Sequence, residues 1–213
     1  MIKIENVDVY GWEAAIRGAR NPMNSWDKSD TLYDDISVYR NTTLGPNDHR
    51  LLRNLANAGP DHGKYLRMIT VSVDLTAPLY WWKEFDTYKV GTVANSCSTM
   101  HKIHANPFSL EDFSHEQMTC DAVATLNMVI DLLNQRRNDF LESGRKIYWW
   151  DMIQSLPSSY NQRRTVLLNY AVLKAMYHAR KNHKLDEWRI FCEFIKTLPY
   201  SELITGGDSN AED

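Results

Sequence analysis

The chain of 213 residues carries a formal net charge of −3, with 43% hydrophobic and 11% aromatic residues. That length suits one domain with a substantial core, and that charge gives no sign of a surface built for DNA or another polyanion. Cys97, Cys120 and Cys192 form no C-x-x-C pair, and there is no apolar leader or long uncharged apolar run, so a cytoplasmic protein outside the membrane is expected.

Residues 2–10, IKIENVDVY, alternate apolar and polar positions and predict a strand. WEAAIRGAR then predicts a short helix, stopped by Asn21-Pro22. Residues 21–45 are polar and without period, which predicts a long loop of the kind that often carries function. Asn47-Asp48 predicts a helix cap before HRLLRNLANA, and Gly59-Pro60 its end. MITVSVDL predicts a second strand, and Ala77-Pro78 opens a helix through LYWWKEFDTY.

From Ser114, with Glu116-Gln117 behind it, a long helix is expected to about Leu141, with Leu126, Val129, Leu132 and Leu133 as its apolar stripe. A further helix is expected from about Ser159 to Asn182, with Val166, Tyr170, Leu173 and Tyr177 at helical spacing. A last helix covers LDEWRIFCEFIKTL. The pattern is helix-rich α+β, a single domain over residues 1–205 followed by a disordered tail, 206–213.

There is no G-x-G-x-x-G, no Walker A loop, no H-E-x-x-H and no G-x-S-x-G. His178 and His183 miss the spacing that puts two metal ligands on one helix face. The pairs Trp81-Trp82 and Trp149-Trp150 are consistent with exposed interface surface, with base stacking or with core. His62, Lys64 and Arg67 lie in GPDHGKYLR, a glycine-bounded turn whose amides and cations would suit an anion; a solvated loop is the alternative. Asn169 and Arg180, eleven residues apart, return to one face of the expected helix, with Leu173 and Met176 between them. Such a stripe could line a ligand site or belong to the core.

The stretch YKVGTVANSCSTMHK packs Thr92, Asn95, Ser96, Ser98 and Thr99 between Lys89 and His101. A helix, a Gly-bounded His loop, an alternating strand, Ala-Pro, an aromatic helix and a loop of the form S-x-N-x-x-S follow one another. This order resembles the flavin-dependent thymidylate synthases, the ThyX family. The resemblance begins near AAIRGAR, is clearest over residues 46–104, and resumes over residues 155–183.

It implies long central helices with a small, mainly antiparallel sheet, FAD as cofactor, a dUMP-like pyrimidine nucleotide as ligand, and a homotetramer with shared sites. The family's R-H-R-x-x-S-x-N-x-x-S-x-R-Y element, which binds the flavin and the dUMP phosphate, corresponds here to Thr87-Tyr88-Lys89, then Thr92, Asn95, Ser98, Met100 and His101, with one extra residue before Asn95. Leu156-Pro157, Asn169 and Arg180 match without a gap, the asparagine implied to touch flavin and the arginine the uracil. Ala171 and Ile153 stand where arginines are expected.

Losing about four or five charge-assisted contacts, each worth roughly 1.5–3 kcal/mol, should abolish tight binding of dUMP and FAD in the usual pose. Either a different ligand occupies the cavity, or Arg17, Arg20, Arg67, Arg163 and Arg189 substitute. Two functions follow: a divergent flavin-dependent enzyme acting on a pyrimidine nucleotide, or a catalytically silent oligomer that binds or sequesters one.

Overall fold

The computed structural model describes residues 1–34 and 41–206. Strands β1 (Lys3–Tyr10), β2 (Leu32–Asp34) and β3 (Asn41–Thr43) and helices α1 (Trp12–Arg20) and α2 (Pro46–Asn57) make the first part. β4 (Thr70–Pro78), α3 (Leu79–Phe85) and β5 (Thr92–Ser96) follow, then α4 (Cys120–Ser143) and α5 (Lys146–Ser155). The chain ends through β6 (Asn161–Asn169), α6 (Tyr170–Arg180), α7 (Asp186–Thr197) and α8 (Glu202–Thr205). One sheet has the order β1-β4-β6-β5, and β2 pairs antiparallel with β3. The fold is α+β, rich in helix with a small, mainly antiparallel sheet. Among the described residues no helix is long and apolar enough to cross a membrane.

The chain divides into two compact units. The first comprises Met1–Glu5, Asp74–Thr87 and Ala94–Thr165, and the second Asn6–Val73, Tyr88–Val93 and the chain from Val166 onward. In the first, Leu126, Ile130 and Leu133 of α4 bury against Met152, Ile103, Phe108 and Phe113. Trp81, Trp82 and Phe85 of α3 are also buried, and the Trp82 indole N–H donates to the Gln162 carbonyl at 2.9 Å. The first tryptophan pair is therefore core and not interface surface, because α3 turns both indoles inward. In the second pair, Trp149 is half-buried, its N–H bonded to the Met100 carbonyl, and Trp150 is exposed.

The second unit is built on α1, α2, α6, α7 and α8. Trp12, Leu52, Tyr170, Leu173, Met176, Trp188 and Phe191 are all buried there, and Trp12 meets Tyr170 edge-on at 5.5 Å. The segment expected as a long loop is ordered around a buried carboxylate. Asp48 accepts from Arg20 Nε at 2.6 Å, from the hydroxyls of Ser29 and Thr31 at 2.7 and 2.6 Å, and from the amides of Asp30 and Thr31 at 3.1 Å. Among the described residues of the stretch, two short 3-10 turns span Asn21–Met23 and Trp26–Lys28, and β2 and β3 span Leu32–Asp34 and Asn41–Thr43. Residues 35–40 of that expected loop, and 207–213 of the expected tail, lie outside the described residues.

Several helix boundaries differ from expectation. α2 starts at Pro46 with Gly45 as its N-cap, so Asn47 and Asp48 lie inside its first turn, where Asp48 is buried, and α3 ends at Phe85. α4 starts at Cys120 and not near Ser114: the side chain of Thr119 accepts from the Ala122 amide, whereas Ser114 is buried and its hydroxyl donates to the Asn161 side chain. Glu116 instead pairs with the N-terminal ammonium. The helix expected over 159–182 is a strand as far as Asn169. Gln162, Val166 and Leu168 point inward while Arg163, Thr165 and Leu167 are exposed, a period of two.

Candidate functional site

Within the second unit, the segment Tyr88–Thr92 lies along α6. Gly91 makes this approach work: its φ is +82°, and a Cβ there would sit 2.7 Å from Asn169 Nδ2 and 3.0 Å from Val172 Cγ2. The Thr92 hydroxyl donates back to the Tyr88 carbonyl and closes the turn. Asn169 is the last residue of β6 and the N-cap of α6, its Oδ1 accepting from the Val172 amide at 3.0 Å. So Asn169 does not sit inside a helix, as the spacing predicted, but at the strand–helix junction.

Arg180 closes the other end of α6, about 16 Å away at 1.5 Å rise per residue. Its Nε donates to the Tyr88 hydroxyl at 3.0 Å, and its guanidinium lies 4.8 Å from the Trp188 ring centroid and 5.7 Å from that of Tyr88. Tyr88 and Trp188 themselves meet edge-on at 6.0 Å. Leu173 and Met176, between the two ends, are fully buried. The apolar middle of the predicted stripe is therefore core, and the polar ends are joined by the 88–92 segment. Lys89 is exposed beside it.

Asn95, Ser96, Ser98 and His101 belong to the first unit and all are exposed. Ser98 uses its hydroxyl to accept the amides of Met100 and His101 at 3.2 and 3.0 Å, a local turn. The Cys97 amide donates to the Arg163 carbonyl and the Gln162 side chain to the Cys97 carbonyl, which pins the end of β5 to β6. Asn95 and Ser96 present their side chains from that strand.

His62, Lys64 and Arg67 are exposed at a 3-10 turn of the second unit. His62 and Lys64, with Asp61, Tyr65, Leu55 and Met68, line a cavity of about 260 Å³ that α1 closes from the side of Gly18 and Ala19. Arg67 does not line it. The Gly63 and Met68 amides are bonded to the Gly59 and Tyr65 carbonyls, so they do not add to an anion cradle as the sequence suggested. Tyr65 donates its hydroxyl to the Leu52 carbonyl at 2.8 Å, and burial pushes its phenol well above the ordinary range.

Of the arginines that might replace the missing ones, Arg20 is buried on Asp48 and Arg163 is held by Asp74 at 2.8 Å with Glu5 at 3.7 Å. Arg189 pairs with Asp186, and Arg17 with Glu13 at 3.7 Å. The Arg17 pair is exposed and contributes little, so that side chain is released at small cost; Arg189 also donates to the His183 and Lys184 carbonyls, and Arg20 and Arg163 are held by their carboxylates. Gly91 and Trp188 were not among the residues singled out, and Tyr88 was named only as a position where the family's R-H-R is replaced. Gly91 within Lys-Val-Gly-Thr was a legible turn signal, but Trp188 comes from a distant helix and gave none.

No protein-family model matches this chain, and no curated protein matches it. Solved structures do. Thymidylate synthase X (ThyX) from Helicobacter pylori, crystallised with FAD and dUMP, aligns at a TM-score of 0.71 and 15% identity, over 97% of this chain and 98% of that one. The UMP/dUMP methylase PolB from Streptomyces cacaoi, bound with 5-Br dUMP, aligns at 0.64 and 17% identity, over 92% of this chain and 89% of that one. A likeness that covers both chains almost end to end, at such identity, establishes the fold: the chain has a ThyX-like fold.

Proposed function

We propose that the chain binds a pyrimidine mononucleotide of the dUMP type, with the 88–92 segment and the two ends of α6 as the centre of the site. The observation that carries this is the joint seating of Gly91 against Asn169 and of Tyr88 against Arg180. It brings the 88–92 segment, with Thr92, to Asn169 and Arg180, which the spacing alone had placed on one helix without that segment. Arg180 is the cation proposed to meet the ligand, with Lys89 beside it. The structural neighbours were crystallised with dUMP, 5-Br dUMP or 5-Br UMP, which supports a nucleotide of this size. His62, Lys64 and Arg67 are proposed as anion-binding groups, and Asn95, Ser96, Ser98 and His101 as a hydroxyl, amide and imidazole surface open to a ligand.

FAD fits the donor set poorly. A dinucleotide brings two phosphates, and the chemistry that grips them is a set of forked, charge-assisted donors. Here the segment offers Lys89 in place of forks, while Arg20 and Arg163 are committed to carboxylates. Any copy of the chain in an assembly brings these arginines with their own carboxylates. This favours the nucleotide binder without redox chemistry over the flavin-dependent methyltransferase. A homo-oligomer, a tetramer in the family pattern, is part of the proposal, with exposed Trp150, Ile147 and Leu141 as candidate contact residues.

Small molecules released from the native protein, identified by mass spectrometry, and calorimetric titrations with dUMP and FAD test this. A colourless protein that binds dUMP and not FAD is expected, and one that does not restore growth of a thymidine-requiring strain. A yellow protein with stoichiometric FAD would return the flavin-enzyme reading, and no binding of dUMP would remove the nucleotide site.

A further inference from the structure

Arg180 does not stand alone at the end of α6. A guanidinium on a long side chain loses rotamer freedom when a ligand fixes it, and a seat that fixes it beforehand removes that cost from binding. Arg180 has such a seat. The Tyr88 hydroxyl takes its Nε at 3.0 Å, and the buried Trp188 ring lies 4.8 Å from the guanidinium carbon, within the range of a cation–π contact. The Tyr88 ring in turn rests edge-on against Trp188 at 6.0 Å. Tyr88 is itself held from behind, since its carbonyl accepts the Thr92 hydroxyl and Gly91 lies against Asn169.

We propose that Tyr88 and Trp188 are positioning residues that hold the Arg180 fork in its ligand-facing orientation. The proposal rests on the nucleotide reading given above. Tyr88 acts through Arg180: its hydroxyl accepts the Nε–H and limits rotation of the guanidinium plane, and the Trp188 face limits its tilt. A phenylalanine at position 88 keeps the edge-on ring contact and loses only the hydroxyl, so it separates positioning from packing.

The experiment has two readouts on the full chain. The first needs no ligand: the Arg180 Nε–H resonance, assigned by its absence in Arg180→Lys. In the wild type it is expected to be ring-current shifted and slow to exchange with water, and in Tyr88→Phe to exchange at least tenfold faster. The second is calorimetry with dUMP. Tyr88→Phe should weaken binding about fivefold to tenfold with an unchanged melting temperature, and should cause no further loss in the Arg180→Ala background.

A rapidly exchanging Arg180 Nε–H in the wild type, or one indifferent to Tyr88→Phe, would overturn the positioning role. So would an additive loss in the double variant. A slow, Tyr88-dependent resonance in a protein that ignores dUMP would leave the seat standing and remove the nucleotide reading instead.

Discussion

Two stretches of this chain have nearly the same chemistry and opposite fates. Residues 20–34 and residues 88–101 are both rich in short hydroxyl and amide side chains, and both read as loops that could carry function. In the first, Ser29 and Thr31 turn inward onto Asp48, which is fully buried and also holds Arg20. In the second, Asn95, Ser96 and Ser98 are exposed, and Thr92 and Ser98 bond only to their own backbone. The difference is one buried carboxylate. Where a charge is taken out of water, every nearby donor is recruited to satisfy it. Without such a charge the same side chains stay available to a ligand. Polar composition alone therefore does not mark a site; what matters is whether the fold has already used the donors.

Breaking the first stretch should have the largest effect. Asp48→Ala leaves the Arg20 guanidinium buried without its carboxylate, and is expected to cost about 3–5 kcal/mol in chemical denaturation. A loss below about 1 kcal/mol would mean that the loop is held by other contacts. The same carboxylate predicts an acid limb. Burial by itself raises the Asp48 carboxyl, but hydrogen bonds from Thr31, Ser29, Arg20 and the Asp30 amide outweigh it and hold it below the usual value. A carboxyl lowered by folding contributes stability that is complete above its unfolded pKa and is lost as pH falls through its folded pKa. Asp48→Asn should accordingly be less stable at neutral pH and show a flatter acid limb than the wild type. Parallel curves would contradict this.

The second stretch should break at its glycine before any of its hydroxyls. Gly91→Ala must adopt a φ of +82° and push against Asn169 and Val172, so a loss of about 1–3 kcal/mol is expected, with proteolysis first appearing near residue 91. Ser98→Ala removes only a local turn bond at an exposed position and should cost a few tenths of a kcal/mol. If Ser98→Ala proved as damaging as Gly91→Ala, the second stretch would be structural in the same sense as the first.

Much of the fold was legible because its periods were clean. β1, α1 and α7 fell within a residue of expectation and β4 within three, and the order of elements around residues 46–104 carried the fold resemblance. β6 was misjudged because Val166, Tyr170, Leu173 and Tyr177 keep helical spacing across a strand–helix junction. Its inward-facing Gln162, and Arg164 stacked 4.1 Å over Trp82, disguise the alternation as polar. Trp81 and Trp82 were open to reading as core, stacking surface or interface, because adjacent residues on an amphipathic helix do not usually both point inward. A short helix buried on more than one side allows it.

Of the candidate site, Asn169 and Arg180 could be named in advance, but not what joins them. The contacts that do so, Gly91 on Asn169 and Tyr88 on Arg180, span 78 and 92 positions, and no local pattern encodes them. Arg20 and Arg163 looked available for the same reason: the carboxylates that hold them lie 28 and 89 residues away.

The most direct test of the account is calorimetry with dUMP on Arg180→Ala beside the wild type, with melting temperatures measured on the same samples. A cation at a helix C-terminus is worth about 0.3–1 kcal/mol to stability, and a purely structural Arg180 would show that and nothing more. The account predicts instead that dUMP binding weakens by about 1.5–3 kcal/mol, roughly tenfold to a hundredfold, with little change in melting temperature. Unchanged dUMP affinity with a lowered melting temperature would contradict it and make Arg180 a helix cap.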